Sequence, residues 1–260
     1  MFAFYFLFFV LGTIVGSFLN VVILRLKKNK SIVRLPSHCP FCKKKLLWFE
    51  LIPIVSFFVQ KGRCRHCHKK ISWQYPLVEF FTGLIFLLIA IYFADFSFYG
   101  LINMGYLLVI SSFLIVIFVY DLKYYLVSDK IIYPAILISF LYDSYLALIY
   151  NQFSLFFYSI LGALMMGGFF LFWVLVSNGR WMGIGDVKIG ILIGLIFGIY
   201  QIFTALFLTF FVGAIVAVAL MLLKKKNLKS EIPLGPFLAG AAFVTLFWGN
   251  YLLNWYLNIF

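Results

Sequence analysis

The sequence predicts an all-α membrane protein, a bundle of about eight transmembrane helices with one small cysteine-bearing loop between the first two. Three observations carry this. Of 260 residues, 65% are hydrophobic, 22% aromatic and 11% charged, an apolar content beyond that of water-soluble domains. Apolar runs near the length a helix needs to cross a hydrocarbon core recur along the chain. All four cysteines stand in the one long polar stretch, as two Cys-x-x-Cys pairs.

The first span runs over residues 2–24. No basic residue precedes it and no small-residue cleavage site follows, so it is expected to remain as an anchor. Residues 25–75 form the polar loop, and a transmembrane core follows over 76–260. Its spans are expected at 76–94, 102–120, 131–150, 155–177, 187–201, 203–223 and 236–257. The small-xxx-small pattern Gly12-Thr13-Ile14-Val15-Gly16 and the repeat Gly190, Gly194, Gly198 read as packing seams, where glycine lets helices approach closely.

Orientation follows from the basic residues, because flanks rich in Lys and Arg stay in the cytoplasm. Most of the 21 lie between Arg25 and Lys70, and the rest fall at Lys123, Lys130, Arg180, Lys188 and in 224–229. With eight alternating spans all of them share one side. Both termini are then outside, and the cysteine loop, Asp121, Asp129, Asp186 and Glu231 face the cytoplasm. The formal charge of +13 is what this topology demands, with a contribution from anionic lipid, and does not indicate nucleic-acid binding.

Cys39-Pro40-Phe41-Cys42 and Cys64-Arg65-His66-Cys67 have the spacing of paired metal knuckles, each offering two thiolates from a tight turn. Zinc in a zinc-ribbon-like loop is the expectation. Two disulfides are the competing reading, disfavoured in a reducing compartment. His38, His66 and His68 stand close by as alternative ligands, but four thiolates complete a tetrahedral set. Such a site has no open position for water, so the metal is structural.

Only eight residues are acidic. Asp121 closes one apolar run after Phe118-Val119-Tyr120, and Asp186 opens another within Met182-Gly183-Ile184-Gly185-Asp186-Val187-Lys188. A carboxylate at the membrane edge is costly, and two at matching depth suggest chemistry on a shared proton and water. Gly183 and Gly185 would permit close approach of a helix or substrate strand. Asp186 begins a helix, where the positive end of the dipole favours its charge. Asp129 reads as a residue of a helix's first turn. Asp143 and Asp95 lie toward the outer side. Glu79, one turn into the second span, suits either the same cavity or a plain helix start. A proton-relaying transporter would need polar residues continuing across the spans. A zinc-dependent scaffold would leave the glycines before Asp186 without purpose.

These residues resemble the type IV prepilin peptidases, the GxGD aspartic proteases of bacterial inner membranes. The likeness runs through Gly16-Ser17-Phe18-Leu19-Asn20-Val21-Val22 with Arg25, the paired knuckles, Leu51-Ile52-Pro53 with Ser56-Phe57, and Tyr75-Pro76-Leu77-Val78-Glu79 with Gly83. It continues through Asp121, Gly183 to Lys188, and Ile232-Pro233-Leu234-Gly235-Pro236-Phe237-Leu238. The resemblance implies that Asp121 and Asp186 are the catalytic pair, supported by Gly183, Gly185 and Lys188. It implies a prepilin or pseudopilin substrate cut after its basic leader. It further implies N-methylation of the new terminus with S-adenosylmethionine, for which, or for lining the cavity, Glu79 and Gly83 come forward. No strand followed by GxGxxG supports a dinucleotide-type methyltransferase domain. The stretch Val127-Ser128-Asp129 departs from the family, which usually has proline before that aspartate.

Overall fold

The computed structural model describes residues 2–27, 31, 36–223 and 232–258; Glu231 and the basic cluster at 224–229 lie outside them. Apolar sequence folds as helix wherever backbone groups have no water to bond. The described residues are accordingly helical apart from one small loop: α1 (Phe2–Leu26), a 3-10 turn (Trp48–Leu51), α2 (Val55–Val59), α3 (Gln74–Phe93), α4 (Phe98–Tyr124), α5 (Asp129–Tyr150), α6 (Phe153–Ser177), α7 (Ile184–Leu222) and α8 (Gly235–Leu257). Seven of these are long and apolar enough to cross a membrane. Two compact units divide the chain at Val116/Ile117, within α4.

The eight expected spans and these seven helices are reconciled at Gly198. Drawn straight, the 39 residues of α7 would reach about 58 Å, twice a hydrocarbon core. Gly198 has φ 60° and ψ −171°, a conformation open to glycine alone among ordinary residues. Around it the chain reverses. Before the break α7 runs antiparallel to α6: a Cβ at Gly190 would lie 2.7 Å from Phe170, and one at Gly167 2.5 Å from Ile191. After the break it runs beside α6 in the same direction, with Tyr158 against Tyr200 at 5.1 Å and Phe169 against Phe210 at 6.2 Å. The reversal is at Gly198, a few residues before the expected boundary at 202. Gly190 and Gly194 are packing seams, as expected; Gly198 is the turn.

In the first unit, α1 and α3 meet along glycines. A Cβ at Gly12 would lie 2.7 Å from the Gly83 Cα, and one at Gly16 2.8 Å from the Glu79 Cα. Lipid tails are as apolar as leucine, so such backbone approach, with its dispersion contacts, substitutes for a hydrophobic drive between the helices. Arg25 closes the last turn of α1, and its guanidinium donates to Ser31 O at 3.1 Å and Pro36 O at 3.2 Å.

In the second unit, α5, α6, α7 and α8 surround a core containing Phe170, Met166, Leu192, Ile193 and Leu238. Asn151 and Asn178 end α5 and α6 in left-handed conformations, which asparagine tolerates. Asp121 lies inside the last turn of α4, which extends four residues past the expected end at 120.

Candidate aspartate site and cysteine knuckles

Asp121 and Asp186 come from different helices of the second unit, and Gly235 connects them, lying against both Asp121 and Ile189, three residues after Asp186. Each is held by the N-terminus of a helix, where unbonded N–H groups seek an acceptor. Asp186 is the third residue of α7, and its Oδ2 accepts the Gly183 N–H at 3.1 Å. Asp121 is 6% exposed and accepts the backbone N–H of Gly235, the first residue of α8. A Cβ at Gly235 would overlap the Asp121 Oδ2 and lie 3.0 Å from its Cγ and 3.2 Å from Ile189 Cδ1. Gly235 thus belongs to the carboxylate site. Its sequence signal was Pro233-Leu234-Gly235-Pro236, a helix start bounded by two prolines, but nothing in the chain told which residue faced it.

The loop between α4 and α5 is fastened to the start of α7. A Cβ at Gly185 would lie 2.7 Å from Val127 Cγ2. Lys188 Nζ pairs with Asp129 Oδ1 at 2.5 Å and lies 4.9 Å from the centre of the Tyr133 ring. Asp129 therefore combines its place in the first turn of α5 with an ion pair to α7. Tyr125, with φ 55°, ends α4 by donating its N–H to Asp121 O at 2.8 Å. Two carboxylates so placed offer a base for water and an acid for a carbonyl, which is the chemistry of acid–base hydrolysis.

In the first unit Glu79 is buried and accepts the Ile54 N–H at 2.7 Å, with Ser17 as a second partner. It ties the loop to the second span. Gly83 packs on α1, where its Cβ would lie 2.8 Å from Thr13 Cγ2. Asn20, also buried, donates to Gly16 O at 3.3 Å and Tyr75 O at 3.1 Å.

The two cysteine pairs fold as superimposable knuckles. Cys39 N–H donates to Lys44 O and Cys64 N–H to Lys69 O, both at 3.0 Å; Lys43 and His68 return their N–H to Cys39 O and Cys64 O. Both returning residues have positive φ, 59° and 55°. Single bridges close each turn, His38 with Lys45 and Arg63 with Lys70. All four Sγ lie within 4.8 Å of one another, and Cys39 to Cys67 is 3.8 Å. That spacing excludes an S–S bond in this arrangement and equals the edge, about 3.8 Å, of a tetrahedron with 2.3 Å metal–sulfur bonds. Backbone N–H groups of Cys67 and then His66 pull the Cys64 thiol down to about 7, toward the thiolate a metal requires. The residues present fit a metal ion such as zinc.

Comparison with known proteins places the chain in a family. Residues 10–93 match the model of the bacterial peptidase A24 N-terminal domain, and residues 108–218 that of the type IV leader peptidase family. A prepilin leader peptidase/N-methyltransferase of Bacillus subtilis is 29% identical over 96% of this chain and 97% of its own length. Proteins of the same name from Stutzerimonas stutzeri and Pseudomonas aeruginosa are each 30% identical, over 96% and 95% of this chain and 92% and 91% of theirs. No solved structure matches.

Proposed function

Since the chain belongs to the type IV leader peptidase family, we propose that Asp121 and Asp186 are its catalytic pair, cutting the basic leader from a prepilin or pseudopilin at the cytoplasmic face of the inner membrane. The observation that carries this is the pairing itself: two carboxylates from separate helices, each on the N–H of a helix N-terminus, within electrostatic reach of one another. One carboxylate takes a proton from water as the water oxygen attacks the scissile carbonyl carbon. Its protonated partner hydrogen-bonds the carbonyl oxygen. The tetrahedral intermediate then collapses, the C–N bond breaks, and the leaving amine receives the proton. Gly183, Gly185 and Lys188 support the pair by shaping and fastening the first turn of α7. The basic flanks of the spans support a reading in which the aspartates and the knuckles face the cytoplasm and the termini are outside.

Zinc held by Cys39, Cys42, Cys64 and Cys67 supports the loop and takes no part in hydrolysis, since four thiolates leave no site for water. The relatives' name carries N-methylation of the new amino terminus to this chain, with S-adenosylmethionine supplying the methyl group. The cleft beside the second knuckle, lined by Lys61, Arg63, Arg65 and His68, offers no carboxylate to a ribose and does not fit an adenosyl group. Glu79 and Gly83, which lie in the α1–α3 seam, are put forward for methyl transfer on the resemblance alone.

The test is cleavage of a basic-leader prepilin by purified protein in liposomes, read by mass spectrometry. Asp121→Asn and Asp186→Asn are each expected to abolish cleavage while metal content and helicity stay unchanged. Full activity in either variant would overturn the assignment.

A further inference from the structure

The loop between the first two spans carries an apolar turn and a group of cations that neither hydrolysis nor metal binding uses. Of the five residues of α2 only Phe57 is buried; Val55, Phe58 and Val59 are exposed, as are Trp48 and Trp73 nearby. This apolar face does not stand out in solvent. Ile54, immediately before α2, donates its N–H to Glu79 at 2.7 Å. Glu79 is the sixth residue of α3, so the start of α2 lies about 7.5 Å along that span from its first residue. The rings of Phe57 and Phe58 lie 4.9 Å and 6.3 Å from Trp73, the residue just before α3. The fastening is firm enough to hold Ile54, a β-branched residue, at φ 62°, which is costly without such constraint. An exposed apolar turn beside the first turns of a membrane helix lies at the depth of the headgroup layer, and tryptophans favour that depth.

The chain then turns sharply. Lys61 and Gly62 have positive φ, and their N–H groups return to Phe58 O and Phe57 O at 2.9 Å. This brings Lys61, Arg63, Arg65 and His68 around a cleft of about 520 Å³ that begins at Val59 and Gln60 and reaches the metal-binding Cys64. No carboxylate lines it, and among the described residues none of Lys61, Arg63 and Arg65 has an ion pair. Arg65 instead covers the Phe49 ring at 5.1 Å. Cations without an ion pair next to an apolar wedge match a phospholipid, whose phosphate lies beside its chains.

We propose that α2 and this cleft form a binding site for an anionic phospholipid: Val55, Phe58 and Val59 enter the interfacial layer while Lys61, Arg63 and Arg65 bind the headgroup phosphate. The site fixes the metal knuckles against the leaflet. It rests on the cytoplasmic orientation proposed above, because the anionic lipid is in that leaflet.

The test uses the full chain in nanodiscs of phosphatidylcholine with or without phosphatidylglycerol. Hydrogen exchange over residues 52–61 and native mass spectrometry of retained lipid are the readouts. Exchange is expected to slow several-fold when phosphatidylglycerol is present, and phosphatidylglycerol should be retained in preference to phosphatidylcholine. Combined Lys61→Ala, Arg63→Ala and Arg65→Ala should remove both effects, with metal content unchanged. Val59→Asp should raise exchange in both lipids. Equal exchange and no selective retention would overturn the proposal, as would protection that arises only when prepilin is added. Neither result touches the catalytic assignment, which the aspartate variants test by cleavage.

Discussion

Gly235→Ala tests the aspartate site at its tightest point. The added Cβ would overlap the Asp121 Oδ2 and lie 3.0 Å from Asp121 Cγ and 3.2 Å from Ile189 Cδ1. Carbon–oxygen contacts settle near 3.3 Å, so the carboxylate or the start of α8 must shift by roughly 1 Å. A misplacement of that size in a reacting group costs on the order of a hundredfold in rate, or about 2.7 kcal/mol. Alanine is the better helix former, so α8 itself gains. The expected outcome in liposome cleavage kinetics is a fall in kcat of about a hundredfold with helicity and metal content preserved. Gly240→Ala, one and a half turns further along the same helix, is the control. Its nearest neighbour would be Phe118 Cε2 at 3.9 Å, an ordinary contact, and it should cleave as wild type does. Wild-type kcat in Gly235→Ala would refute the placement of Gly235 beside Asp121.

Two further outcomes follow from the loop contacts. The Lys188 and Asp129 side chains are 20% and 60% exposed, so their pair contributes under about 1 kcal/mol to stability. Lys188→Ala or Asp129→Ala should leave the melting temperature almost unmoved, yet lower kcat about tenfold by loosening the first turn of α7. The exchanged pair, Lys188→Asp with Asp129→Lys, should recover part of that loss, and unchanged kcat in both single variants would dismiss a positioning role. Cys64→Ser should reduce bound metal from about one ion per chain to almost none. Structural zinc supplies about 10–16 kcal/mol of folding energy in small modules, so limited proteolysis should then cut the loop while the spans survive; a variant that keeps its metal would contradict the four-thiolate set.

Much of this was legible in the chain because the signals were local or costly. Paired Cys-x-x-Cys spacing encodes a turn, and both turns formed with the same hydrogen bonds. Asp121 and Asp186 stand out because carboxylates are expensive beside apolar runs, and the structure sets them in the last turn of α4 and the first turn of α7. Other features depend on residues distant in sequence. Asp129 looked complete as a first-turn acid, and its partner Lys188 reaches it only through the packing of α7 on α5. Glu79 suited a cavity or a helix start equally well; the structure gives it the Ile54 N–H of a loop that hydropathy treats as featureless. The reversal is at Gly198 and not at the expected 202 because the run 189–223 carries no charge and a single φ/ψ value leaves no trace in hydropathy. Helix ends were short in the reading for a related reason: the last turn of α4 carries Asp121, Lys123 and Tyr124, polar groups that end an apolar run without ending the helix.

The geometry also explains why the site needs α8. Asp121 sits in the last turn of α4, where unpaired carbonyls and the negative end of the helix repel a carboxylate. The N-terminus of α8 answers this by directing the Gly235 N–H at it, so the end of one helix and the start of another are electrostatically coupled. Asp186 needs no such partner, because its own helix begins two residues before it and Gly183 donates from the same turn. That turn must still be aimed. Asp186 and Lys188 are two residues apart and leave α7 about 200° apart around its axis, so anchoring Lys188 on α5 directs Asp186 to the opposite side. Gly185, immediately before Asp186, lies against Val127, which limits rolling of the helix. One carboxylate is therefore held by a neighbouring helix and the other by its own helix turned from behind. Changes in 232–236 should act through Asp121, and changes in 125–129 through the orientation of Asp186.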